Sequence, residues 1–260
     1  MTNTFFDSGY AEVNGLTMYY EIYGQGKPLV LIHGGGSTIQ STFGRIIPEL
    51  AVNRQIIAAE LQAHGRTKDR NTFLTFIQDA DDVAGILANL KVSKADFLGF
   101  SNGGQTLIEI AIRHPRLINK MILASALYKR NGAAPQFWEG FKHIRLENMP
   151  KVLRDAFLAV NDDQAALQNM FDKDVQRLVA FQGWSDDQMK SIQSPTLVIN
   201  GNHDVGSVEH AIEMYRAIPN SELAIFPGGH GDYLGAIETM PDGRWTKFNA
   251  VHLIEEFLDK

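Results

Sequence analysis

The sequence predicts an α/β fold, a mostly parallel sheet covered by helices on both faces and interrupted by one helical insertion. Three observations predict it. Unbroken apolar runs of five or six residues recur at 28–32, 55–60, 95–100, 120–124, 196–200 and 222–226, as strands buried on both faces of a parallel sheet do. Helical stripes lie between most of these runs, and strand–helix alternation builds a layered α/β sheet. From 127 to 194 the helical pattern continues with no convincing strand.

The elements follow in chain order. Residues 10–23 alternate apolar and polar around Asn14-Gly15, a dipeptide that tolerates positive φ and suits a tight hairpin turn, so two antiparallel strands open the fold. The parallel runs follow, with a helical stripe of Ala80, Val83, Ala84, Leu87 and Leu90 before the run at 95–100 and a helix over 106–113 after it. The insertion carries Trp138, Phe141, Met149, Phe157, Met170, Phe171, Trp184 and Met189, and a stripe of Phe248, Val251, Ile254, Phe257 and Leu258 closes the chain. Without an internal repeat or a long linker, the 260 residues read as one core, 1–126 and 195–260, carrying an insertion over 127–194.

Composition narrows the function. The chain has 24 Lys and Arg against 30 Asp and Glu and no basic run, so neither nucleic acid nor an anionic membrane is an expected partner. The lack of cysteine removes disulfides, thiolate metal sites and a cysteine nucleophile. No basic segment followed by an apolar run opens the sequence, and no apolar stretch approaches a membrane span, which predicts a cytoplasmic protein.

The sharpest motif is Gly99-Phe100-Ser101-Asn102-Gly103, between the run at 95–100 and the helix that follows. A strand, a tight turn and a helix in that order hold a serine hydroxyl exposed at a strained turn, with the helix N-terminus facing developing negative charge. His33-Gly34-Gly35-Gly36 ends the run at 28–32 and leaves backbone N–H groups uncovered. In acyl transfer, Gly35 and Asn102 could each donate an N–H to an oxyanion. A nucleophilic serine needs a base, and the base an orienting acid. Asp204 follows the run at 196–200, and His230 follows the run at 222–226 in Pro227-Gly228-Gly229-His230-Gly231-Asp232. Ser101, Asp204 and His230 thus each lie just past a different strand's C-terminal end, where open α/β sheets place their sites. The segment 124–126, Ala-Ser-Ala, offers no competing acid, and Asp232 suits loop bracing.

These motifs, with Glu60-Leu61-Gln62-Ala63-His64-Gly65-Arg66-Thr67, resemble the α/β-hydrolase fold family along nearly the whole chain, in particular its small esterases and lactonases. In the last segment Glu60, Ala63 and Thr67 stand where the family's pattern has Asp, Gly and Ser. The resemblance implies eight strands, with 127–194 as a cap over the site. Some of Phe137, Trp138, Phe141, Phe157, Phe171 and Trp184 would then line a pocket for an apolar group.

The function expected is therefore a serine hydrolase acting on a small ester or lactone, without metal or cofactor. Serine-dependent carbon–carbon hydrolysis or perhydrolysis and a hydrolase-fold receptor with little turnover are the competing readings. Gly201-Asn202-His203-Asp204 also looks like an element of dinuclear metallophosphoesterases, but the other ligand blocks those enzymes need are missing. Of the other histidines, His33 and His64 are expected to hold loop backbones, His114 to cap a helix, and His143, His210 and His252 to lie at the surface or its boundary.

Overall fold

The computed structural model describes residues 5–240 and 249–260. Eight strands form one sheet: β1 (Phe5–Val13), β2 (Leu16–Tyr23), β3 (Lys27–Ile32), β4 (Arg54–Ala59), β5 (Ala95–Phe100), β6 (Ile118–Ala124), β7 (Thr196–Gly201) and β8 (Ser221–Phe226), in the order β1-β2-β4-β3-β5-β6-β7-β8. Asn14 and Gly15 both take positive φ and turn β1 into β2. β2 runs antiparallel to its neighbours β1 and β4, and every pairing from β4 to β8 is parallel.

The helices are α1 (Ile39–Phe43), α2 (Ile47–Leu50), α3 (Phe76–Asn89), α4 (Asn102–Arg113), α5 (Pro135–Phe141), α6 (Lys151–Leu158), α7 (Gln164–Ala180), α8 (Asp186–Lys190), α9 (Val208–Ala217) and α10 (Val251–Asp259). On one face of the sheet, Val83, Ile86 and Leu87 of α3 and Leu107 and Ile110 of α4 pack against Phe97 and Met121. On the other, Val251, Ile254, Phe257 and Leu258 of α10 join Leu98, Ile122 and Ile199. Each such side chain contributes about 1.5–3 kcal/mol when fully buried, enough to fix the helices to the sheet. Phe248, expected to begin the last apolar stripe, lies outside the described residues.

The unbroken apolar runs become buried strands in β5, β6 and β7, but β8 is only half-buried, because it closes one edge of the sheet. Between β6 and β7 the chain forms helical elements, α5 to α8 among them, turns and isolated β-bridges at Lys129, Ala133 and Gly183, but no strand. This segment has its own cluster of Met149, Leu153, Phe157, Leu167, Met170 and Phe171, into which the methyl of Ala63 projects. Ala63 takes φ +64, a conformation that favours glycine, so this alanine is strained, and not the neutral replacement that its size suggests.

Candidate active site

The strand-to-helix turn sets the serine. Ser101 has φ 52 and ψ −122, outside the regions open to most side chains, and its N–H donates to Ala124 O of β6 at 2.9 Å. Such strain costs on the order of 1–3 kcal/mol and persists because the surroundings enforce it. They do so by crowding: a β-carbon at Gly103 would lie 2.1 Å from Ile32 O, so only glycine lets α4 approach β3 this closely. Asn102 opens α4, and its N–H therefore has no acceptor within the helix.

His230 and Asp204 meet across the loops that follow β8 and β7. The Nδ1–H of His230 donates to Asp204 Oδ1 at 2.6 Å. The other oxygen, Oδ2, accepts from Ser125 Oγ at 2.5 Å and from the Gly201 N–H at 3.1 Å, while Oδ1 also takes the Val205 N–H at 2.7 Å. Tyr233 hydroxyl contacts Ser125 Oγ at 2.6 Å, which buttresses the acid from below. Burial raises the pKa of Asp204, but the hydrogen bond and charge of His230, with the donors just named, outweigh it and leave the carboxyl below its ordinary value. Burial likewise opposes charging of His230, yet Asp204, aided by Glu238 and Asp232, raises its pKa above the usual value. The ring packs on Phe100 with centroids 4.8 Å apart. Asp232 braces the loop by accepting the Gly229 N–H at 2.5 Å.

Ser101, His230, Asn102 and Gly35 border one cavity of about 270 Å³. Phe137 and Phe141 of α5 and Phe171 of α7 line it, so this wall comes from the helical segment. Trp138, Trp184 and Phe157, expected on the same wall, are packed elsewhere. Trp138 donates its indole N–H to Arg130 O and stacks on Phe181, and Trp184 donates to Glu109 and packs on Phe76 and Phe181. Both indoles found partly buried partners away from the cavity, Arg130 O within the segment and Glu109 on α4. Phe157 is fully buried in the segment's own cluster.

Two histidines do hold loops. His33, buried and neutral with its pKa pushed down to about 3 by burial and by the nearby His64, accepts the Leu61 N–H at 3.0 Å. His64 does more, since Nδ1 faces Gln62 O at 2.9 Å and Nε2 faces Asp174 Oδ2 at 2.9 Å. Asp174 is a cavity-lining residue of α7 that the sequence reading missed. It also accepts the Gly36 N–H at 2.6 Å and pairs with Arg177 at 2.5 Å, which in turn binds Asp79 at 2.6 Å. Its signal was a carboxylate on the apolar stripe Leu167, Met170, Phe171, Leu178, at helical spacing. His210, expected at the surface or its boundary, is buried: it stacks on Tyr128 and accepts the Tyr128 N–H at 3.1 Å, because α9 turns it under the start of the helical segment. His114 ends α4 as expected, with its ring bonded to Asp81 at 2.7 Å. Among the described residues no three His, Asp or Glu side chains gather as a metal-binding group.

The family model for the alpha/beta hydrolase fold matches residues 27–180, more than half of the chain. The chain belongs to the α/β-hydrolase family. Within this family, it is similar to a 2-hydroxy-6-oxo-2,4-heptadienoate hydrolase of Pseudomonas putida, 27% identical over 230 residues that cover 78% of this chain and 82% of the relative. The fold is shared with a meta-cleavage product hydrolase from Pseudomonas fluorescens at a TM-score of 0.79 and 22% identity, covering 96% of this chain and 97% of the other. It is also shared with an enol-lactonase from Burkholderia xenovorans, at a TM-score of 0.75 and 20% identity, covering 97% of this chain and 100% of the other. α/β-Hydrolases with this fold thus include enzymes named for different bonds.

Proposed function

We propose that this chain is a serine hydrolase that cleaves a carboxylic ester or lactone of a small, uncharged, partly apolar substrate in the cytoplasm. Ser101 Oγ attacks the acyl carbonyl and passes its proton to His230 Nε2, while Asp204 holds the Nδ1–H and stabilises the imidazolium. The N–H groups of Asn102 and Gly35 receive the oxyanion. His230 then protonates the departing alkoxide, and a water molecule, deprotonated by His230, hydrolyses the acyl-enzyme and restores Ser101. The helical segment acts as a cap that supplies the apolar wall and keeps bulk water from the acyl group.

The observation that carries this reading is the 2.6 Å hydrogen bond between His230 and Asp204 beside the cavity that Ser101 also borders. It fixes the imidazole with Nδ1 as donor and leaves Nε2 to act as base.

Carbon–carbon hydrolysis is the second reading, favoured by the Pseudomonas putida relative, whose name is that of a carboxylate-bearing substrate. Charge argues against it here. Among the described residues that line the cavity there is no lysine or arginine, and Arg177, behind Asp174, has both terminal nitrogens bound to Asp79 and Asp174. A substrate carboxylate would leave water for a cavity with no cationic partner, where only neutral donors such as Gln105 and Asn148 could meet it, at a cost of several kcal/mol.

Initial rates on short p-nitrophenyl esters, a γ-lactone and a 2-hydroxy-6-oxo-dienoate test the reading. Turnover of the uncharged substrates is expected, with Ser101→Ala slower by on the order of 10⁶-fold. Turnover of the dienoate alone would replace ester hydrolysis by the carbon–carbon reaction.

A further inference from the structure

The triad leaves unused a second set of charges, which reaches the cavity at Asp174. Asp79, Arg177, Asp174 and His64 form a continuous chain, and all four are buried. The Asp174 carboxylate can only accept, so His64 Nε2 donates to it, and the Gly36 N–H, 3.3 Å from that nitrogen, makes its shorter bond to Asp174 Oδ2. Acidic and basic side chains thus alternate along the chain. Burying them costs several kcal/mol per ion before their attraction returns it, so stability alone is a weak reason for such a chain.

Its far end suggests another reason. Asp174 comes from α7 in the helical segment, but its Oδ2 accepts the N–H of Gly36 in the loop after β3, at 2.6 Å. That loop is the one expected to hold the oxyanion. A β-carbon at Gly35 would lie 2.4 Å from Asn102 Nδ2 and 3.1 Å from Asp174 Oδ2, so Gly35, Asn102 and Asp174 meet at one point. With the Gly36 N–H committed to Asp174, the N–H groups of Gly34 and Gly35 have no acceptor among the described residues, and of these two glycines Gly35 borders the cavity.

We propose that Asp174 is a positioning residue: by holding Gly36 it fixes the turn that aims the Gly35 N–H at the oxyanion, so that the oxyanion hole is complete only while α7 is seated on the core. The proposal rests on the ester-hydrolase reading above. Arg177 and His64 fix the carboxylate from two sides and cancel its charge, which would otherwise oppose an oxyanion forming beside it. Asp79 is the anchor at the other end, in α3, where it also takes a long hydrogen bond of 3.5 Å from Thr106 of α4. The helix that follows Ser101 and the loop that supplies the second donor are thereby joined through one residue pair of α7.

The test compares the two ends of the chain in the full-length protein with p-nitrophenyl acetate. Asp174→Asn removes the charge that holds Gly36, while Asp79→Asn breaks the same ion chain away from the loop. Asp174→Asn is expected to lower kcat by about 10- to 100-fold with KM within about threefold, as a misplaced donor does. Asp79→Asn is expected to lower the melting temperature as much as Asp174→Asn does and to keep kcat within about threefold of wild type. Asp174→Glu, which keeps the charge and shifts it by one methylene, should show the same kcat loss and serves where Asp174→Asn does not fold. Equal kcat losses at both ends, or none at Asp174, would overturn the positioning role. A wild-type protein that neither hydrolyses esters nor reacts with a fluorophosphonate would overturn the hydrolase reading itself, and the proposal with it.

Discussion

Asp204 holds His230 with one carboxylate oxygen and Ser125 with the other, so the residue that orients the imidazole is itself oriented by a hydroxyl from the end of β6. In the proposed mechanism this fixes the imidazole tautomer before substrate arrives. Asp204→Asn keeps the shape and presents an amide that can favour the wrong tautomer. Steady-state kinetics on a short ester should show a loss on the order of 10⁴ in kcat, with little change in KM.

Ser125 carries a smaller share. Ser125→Ala removes the donor to Asp204 Oδ2 and leaves the Tyr233 hydroxyl without its closest partner, while the Gly201 N–H stays in place. A hydrogen bond to a charged group is worth about 1.5–3 kcal/mol, so the variant should unfold at lower denaturant concentration and lose about tenfold in kcat. Unchanged kcat with reduced stability would confine Ser125 to a structural role.

Activity should depend on pH through His230. The base acts when neutral, and Asp204 raises its pKa above the ordinary value of about 6.5, so the acid limb of kcat/KM should lie above that pH. A profile flat down to pH 5 would contradict the role given to His230.

Stability should pass through a maximum near pH 6.5. Burial holds His33 near 3 and His210 near 4, so below about pH 6.5 the unfolded chain binds protons that the folded chain refuses, and stability falls on acidification. His64 and His230 have folded pKa values raised by Asp174 and Asp204 against burial, so their contribution is full below about pH 6.5 and is lost as pH rises through the folded values. Melting temperatures measured from pH 4 to 9 should show both slopes. His210→Gln should flatten the acid slope while lowering stability at pH 7 by about 1–3 kcal/mol, the cost of disturbing a buried donor's partner.

The aromatic residues of the helical segment divide into two groups. Phe141→Ala should widen the cavity and shift the preference in a series of acyl esters toward longer chains, with folding intact. Trp184→Ala should instead cost about 3–5 kcal/mol of stability and leave the chain-length preference unchanged. Parallel measurement of KM across the series and of chemical denaturation separates them.

The positions of Ser101, Asp204 and His230 were legible in the sequence because each follows an apolar run that the sheet must bury, and parallel strands deliver their C-terminal ends to one edge. Ser125 was not legible, because nothing in Ala-Ser-Ala distinguishes a hydroxyl that braces a carboxylate from one that faces solvent. Trp138 and Trp184 misled for a related reason: an indole needs a partner for its N–H, and the residue that supplies it, Arg130 O for one and Glu109 for the other, is known only once the chain is folded. Asp174 was visible as a charge on an apolar stripe, but its partners His64 and Gly36 lie more than a hundred residues away.

The most direct measurement is the intact mass of wild type and of Ser101→Ala after incubation with a small fluorophosphonate, which phosphonylates an activated serine. A single adduct on wild type and none on the variant is the result expected from a serine made nucleophilic by His230 and Asp204. An unlabelled wild type, or equal labelling of both proteins, would contradict the assignment of Ser101 as nucleophile.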